Sequence, residues 1–158
     1  MYLLSVRFRC FPADVSQPWQ QHLLDHFFYD AEMKMEVNHG MYARGTRNKY
    51  LKDLFVQWRG LLAAYDEGIT KGDAVLAAAI WRNVFKANEE VDIKGLAQMV
   101  SYMRGALQGL DKMSDEEIAS GGLSFSSPKG EEIVVRLRSK MMELPFEKAS
   151  GKDLPSEQ

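Results

Sequence analysis

From Trp19 onward the apolar residues fall at Leu23, Leu24, Phe27, Phe28, Ala31 and Met35, in steps of one, three and four. That is one stripe on a 3.6-residue period, so the pattern predicts an amphipathic helix. Its other face carries Gln20, Gln21, Asp25, Asp30, Glu32 and Glu36. Ser16 is placed to cap this helix with Pro18 in its first turn, and Asn38-His39-Gly40 supplies a glycine stop. A second stripe, Leu51, Leu54, Phe55, Trp58, Leu61, Leu62 and Tyr65, predicts a helix that Asp66-Glu67-Gly68 closes. Between them lies a basic linker, Arg44, Arg47, Lys49 and Lys52. Asp73 then caps a helix that is apolar from Ala74 to Trp81 and is expected to be buried all round. Ile93, Leu96, Val100, Met103, Leu107 and Leu110 align on a fourth long helix, from Val91 to Leu110, with Asp92 at its positive end.

Shorter elements follow. Ser114-Asp115-Glu116-Glu117 reads as a capping box, and Gly121-Gly122 ends the helix it opens. Residues 131–142 fit a strand or a last helix, because Ile133, Val134, Val135 and Leu137 form a short, β-branched run. At the other end Leu3, Leu4, Val6 and Phe8 read as the end of a buried helix, so the chain reads as a piece cut from a longer one. The expected architecture is all-α: a single bundle of four long helices plus shorter C-terminal elements, over residues 1–146. Residues 147–158 are polar, with Gly151 and Pro155, and are expected to form a disordered tail.

Composition narrows the function. With 158 residues, 46% apolar, 27% charged and a net charge of −2, the chain has the make-up of one globular domain. The charge is not that of a dedicated nucleic-acid binder, so DNA is not an expected partner. Cys10 stands alone, which excludes an internal disulfide and reads as a small buried hydrophobe. No apolar run reaches the length of a membrane-spanning helix. Neither a phosphate-cradling glycine loop nor a nucleophile elbow is present.

Three groups of residues can carry chemistry. His22 and His26 share a helix face, which suits two metal ligands or an acid–base pair; the plainer reading has them pairing with nearby carboxylates. The segment 44–52 carries +4 over nine residues beside Tyr42 and Tyr50; it reads equally as a docking patch for RNA or an acidic protein and as a solvated helix start. Nine methionines divide between core positions such as Met99 and Met103 and the off-stripe Met33 and Met41, which suit an adaptable apolar contact.

Five strings, in order, resemble one family: Tyr2-Leu3-Leu4-Ser5-Val6-Arg7, His26-Phe27-Phe28-Tyr29-Asp30, Tyr65-Asp66-Glu67-Gly68-Ile69, Leu76-Ala77-Ala78-Ala79-Ile80-Trp81-Arg82 and Tyr102-Met103-Arg104. The chain resembles the ubiquinol–cytochrome c chaperone family, the mitochondrial complex III assembly factors, and looks more fungal than animal. The resemblance covers about Met1 to Leu110; the family's upstream aromatic segment and presequence have no counterpart in this chain. It implies an all-helical non-enzyme in the mitochondrial matrix or at the matrix face of the inner membrane. It also implies three partners: newly made cytochrome b, a small complex III assembly partner protein and the mitochondrial ribosome near its exit. The inner-membrane surface is a further possible contact, and no cofactor or metal is implied. On that footing Trp19, Tyr29, Met33 and Met41 are candidate client contacts, and Arg44, Arg47, Lys49 and Lys52 candidate ribosome or partner contacts. Tyr65, Asp66, Glu67, Gly68, Trp81 and Arg82 form a structural motif in which Arg82 is expected to pair with Asp66 or Glu67, since a buried charge needs a partner. The rival readings are a helical metal-binding protein or enzyme built on His22 and His26, and an RNA-binding or scaffold domain built on 44–52.

Overall fold

Every helix in the computed structural model, which describes residues 1–137, begins or ends where its unpaired backbone groups find partners. The elements are α1 (Tyr2–Phe8), α2 (Ala13–His39), α3 (Arg44–Lys71), α4 (Asp73–Asn83), α5 (Ile93–Asp111) and α6 (Asp115–Ala119), then a 3-10 turn (Pro128–Glu131) and α7 (Glu132–Arg136). Among the described residues there is no strand, so the architecture is all-α as expected, with α2 to α5 as its four long helices. Of the ambiguous segment 131–142 the described part is helical as far as Arg136, with Leu137 extended beyond it; residues 138–142 and the tail 147–158 lie outside the described residues.

The expected stops and caps hold at three places. Gly40 ends α2 in the left-handed region at φ 62°. The Asp92 carboxylate accepts from the Lys94 and Gly95 amides, and Ser114 and Glu117 form a reciprocal capping box. Other expectations give way. Gly72, not Asp73, holds the N-cap position of α4, and Asp73 is that helix's first residue with no side-chain cap bond. Helix α2 starts at Ala13, ahead of Ser16, whose amide donates to the Pro12 carbonyl at 2.8 Å. Pro18 therefore lies inside the helix, and the exposed Asp14 carbonyl loses its intrahelical donor. The basic linker is helical from Arg44, so α3 is longer at both ends than its apolar stripe.

Gly68 does not stop α3 but lets α4 approach it. A Cβ at Gly68 would lie 2.6 Å from the Leu76 Cα, closer than any side chain can sit. Against that contact Leu76, Ala79 and Ile80 are fully buried, while Ala74 and Arg82 on the same helix are exposed. The expectation of a helix buried all round is thus corrected to one buried face.

Two clusters make the core. Tyr2, Tyr65, Leu76, Ala79, Ile80, Val100 and Met103 join α1, the end of α3, α4 and α5. Phe8, Phe11, Leu110 and Ile118 join α1 to α5 and α6. Arg7 stitches the second cluster together: its guanidinium donates to the Leu110 carbonyl at 3.0 Å, the Met113 carbonyl at 2.9 Å and Asp115 Oδ1 at 2.6 Å, and lies over the Phe11 ring. It thereby neutralises the negative end of α5. Between Phe11 and Tyr65 no residue is buried. The distal parts of α2 and α3 therefore form a two-helix arm that stands off the core and packs chiefly on itself.

Candidate functional site

Where the arm meets the core, the helices leave a cleft of about 590 Å³ between the start of α1, the middle of α2 and the arm side of α3. Its walls are mostly apolar: Met1, Phe27, Leu54, Trp58 and Leu61, with Tyr2 and Tyr65 at the base. The two tyrosine rings meet edge to face, centroids 5.1 Å apart at 81°. The Tyr2 hydroxyl donates to Asp66 Oδ1 at 3.0 Å, and Arg9 donates to both Asp66 oxygens at 3.0 and 2.9 Å. Burial, and then the Asp66 carboxylate, push the Tyr2 hydroxyl well above the ordinary tyrosine range. Burial raises Tyr65 as well. The amide of Asn83 is engaged with the Ala79 carbonyl at 2.8 Å. The Tyr2 hydroxyl and the Asn83 amide are thus tied into the fold, and the mostly apolar walls leave the cleft suited to apolar side chains.

Beside the cleft Phe28 stacks between Phe27, 5.4 Å away, and Phe55 of α3, 5.9 Å away. The second of these contacts joins α2 to α3. Tyr29 and Met33 point elsewhere: both are exposed, at 69% and 47%, and Tyr29 lies about 200° around the helix from Phe27. The structure brings these two client candidates together on the outer face of α2. Trp19 does not join them. Its ring packs at 5.4 Å on Phe8 and 5.7 Å on Phe11, so the expected exposed aromatic is a half-buried core residue. Met41 is half-buried in the α2–α3 turn, where its carbonyl is bonded by Arg47.

Arg47 likewise departs from expectation. Its side chain is 12% exposed and reaches back to Glu32 at 3.2 Å and Glu36 at 3.5 Å. It also donates to the Met41 and Tyr42 carbonyls at 2.9 Å each. Through Nε and Nη1 it locks the tip of the arm. Arg44, Lys49 and Lys52 are exposed and make no ion pair among the described residues.

The expected Arg82 pair is also corrected. Arg82 sits exposed in the last turn of α4, where solvent reaches it, and makes no ion pair with Asp66 or Glu67. Asp66 is taken by Arg9, and Glu67 by Lys71, whose hydrogen bond holds the Glu67 carboxyl below its usual range. The arginines that secure the core are Arg7 and Arg104; Arg104 donates to the Ile69 carbonyl at 3.0 Å and pairs with Asp73 at 2.9 Å. A charge inside the apolar first helix was the signal for Arg7. Trp81 donates from Nε1 to the Asn88 carbonyl at 2.7 Å and fastens the turn after α4.

His22 and His26 are exposed on the outer face of α2. Among the described residues no group of three or more His, Cys, Asp or Glu side chains is gathered as metal ligands. Cys10 is exposed and not the buried hydrophobe expected. Among the described residues no helix is long and apolar enough to cross a membrane.

Comparison with known proteins gives a consistent result. The model of the family described as ubiquinol-cytochrome C chaperone matches residues 1–125. The chain is 38% identical over 131 residues to "Protein CBP3, mitochondrial" of Saccharomyces cerevisiae, covering 80% of this chain and 38% of that protein. It is 32% identical over 78 residues to ubiquinol-cytochrome c reductase complex assembly factor 1 of Drosophila melanogaster, covering 49% of this chain and 30% of the other. With the Homo sapiens protein of that name it shares 41% identity over 61 residues, 39% of this chain and 20% of the other. The chain thus spans well under half the length of each of these relatives. No solved structure gives a significant match.

Proposed function

The chain belongs to the ubiquinol–cytochrome c chaperone family, and from that premise we propose that it is an assembly chaperone of mitochondrial respiratory complex III. In this reading it performs no catalysis. Its client is newly made cytochrome b, which it holds in the matrix or at the matrix face of the inner membrane, beside a small partner protein and near the ribosome exit. One observation carries the reading: the open apolar cleft walled by Phe27, Leu54, Trp58 and Leu61. A nascent membrane protein offers long apolar segments, and a cleft of this kind shields such side chains from water without demanding one sequence. The client contacts proposed are therefore the cleft walls. For the ribosome, Arg44, Lys49 and Lys52 remain the proposed cations, and Arg47 is withdrawn because it is bound within the arm.

The test uses a chimera in which this chain replaces the matching segment of the yeast relative. The chimera is expected to restore assembled complex III and respiratory growth. Photo-crosslinkers at Leu54 and Gln57 are expected to capture cytochrome b in translating mitochondria, while one at Lys112, on the exposed end of α5, captures none. Equal capture at all three positions rejects the cleft. Reversal of Arg44, Lys49 and Lys52 to Glu is expected to release the chain from the ribosome, and unchanged co-sedimentation rejects that contact.

A further inference from the structure

The outer face of α2 carries a feature that the cleft does not use. His22, His26, Tyr29, Met33 and Val37 are all exposed and follow steps of four, three, four and four. From His22 to Met33 that is the spacing of a heptad seam, with His26 and Met33 at a positions and His22 and Tyr29 at d positions; the next d is Glu36, which pairs with Arg47, and Val37 falls at e. The residues behind it, Leu24, Phe27, Phe28 and Ala31, fall at b, c and f and face α3, so the seam is separate from the packed side of the helix. The flanking positions hold Leu23 and Asp30 at e and Asp25 and Glu32 at g, three acids and one apolar residue. Five acidic residues stand on α2 against one lysine. Asp30 has an exposed i,i+4 contact with Lys34, Glu32 holds Arg47, and Asp25 takes only the Gln21 amide at 2.7 Å.

We propose that this seam docks an amphipathic helix of a partner protein, one with apolar a and d residues flanked by Lys or Arg at e and g. Charge at e and g selects the partner in such pairings. A basic flank is attracted to Asp25, Asp30 and Glu32, whereas a second copy of this face would set acid against acid. The seam runs for about 16 Å from His22 to Met33, room for about one and a half heptads of a facing helix. This docking does not rest on the function proposed above; it needs only the face that the fold leaves uncovered.

The test is a titration of the full chain with three synthetic peptides of three heptads each. One has Leu at a and d and Lys at e and g, the second has Glu in place of Lys, and the third is a scramble of the first. The Lys peptide is expected to bind, the Glu peptide and the scramble at least tenfold more weakly. Tyr29→Asp and Met33→Asp, both at exposed positions, should each weaken the Lys peptide tenfold or more without changing the melting curve. Asp25→Lys should weaken the Lys peptide and strengthen the Glu peptide. Absence of binding, equal binding of the scramble, or indifference to Tyr29→Asp overturns the proposal. So does a dimer in light scattering that Met33→Asp abolishes, which would make a second copy the occupant. A chain that restores complex III in the chimera yet fails this titration refutes the seam alone.

Discussion

Arg47 shows how little a residue's type says about its use. Four basic residues lie between 44 and 52, and three of them point into solvent. The fourth sits at the helix angle that faces α2 and meets two carboxylates and two carbonyls. Removing it strands those acceptors, so Arg47→Ala should destabilise the chain by about 1–3 kcal/mol, whereas Lys49→Ala should change stability by less than about 0.5 kcal/mol. Urea denaturation of the two variants checks the difference. Spacing alone could have placed Arg47 on the α2 side, but its capture depends on Glu32 and Glu36 standing opposite, which only the turn at Gly40 arranges. Trp19 has the same history in reverse. It begins the apolar stripe, yet its partners Phe8 and Phe11 precede the helix, so a reading that starts at Trp19 leaves it exposed.

At the level of elements, helix ends were legible at Asp92, Ser114 and Gly40, where a side chain or a positive φ does the capping, but not at Gly72, which ends α3 at φ 114° beyond the expected stop. Gly68 was illegible because its reason lies in another helix. Gly68→Ala places a methyl against the Leu76 backbone, which cannot yield as a side-chain tip would. The expected cost is about 3 kcal/mol, although alanine favours helix by about 1 kcal/mol. Gly60→Ala, in the same helix with open space around it, should instead stabilise by up to about 1 kcal/mol. Paired thermal melts separate the two cases. The arm has no buried residue, so its amides are expected to exchange hydrogen faster than those around Ala79 and Ile80 in α4, by roughly tenfold or more. Uniform protection along α2, α3 and α4 would contradict an arm held mainly by its own contacts. The stripes predicted each helix; they could not reveal that two of them face each other in place of the core, because half-buried and fully buried stripes have the same period.

For the whole molecule, the net charge of −2 averages over an acidic α2 and a basic start to α3, joined at the tip by Arg47. At the opposite end Tyr2 ties α1 to α3 through Asp66. Its hydroxyl ionises at higher pH folded than unfolded, so its contribution is complete below the ordinary tyrosine pKa of about 10 and is lost as pH climbs through the folded value. Stability should therefore fall as pH rises above about 10, and less steeply in Tyr2→Phe, which denaturation midpoints at pH 8 and pH 11 would compare. Equal slopes would deny Tyr2 this role. The bonds of Arg7 have a consequence in time. They reach 103, 106 and 108 residues along the chain, to Leu110, Met113 and Asp115. At a synthesis rate of about 5–20 residues per second, α1 waits about 5–20 s for the carbonyls that receive it. Until then Phe8 lacks the Leu110 and Ile118 of its cluster, so α1, the earliest made of the helices described, is among the last to be fully seated.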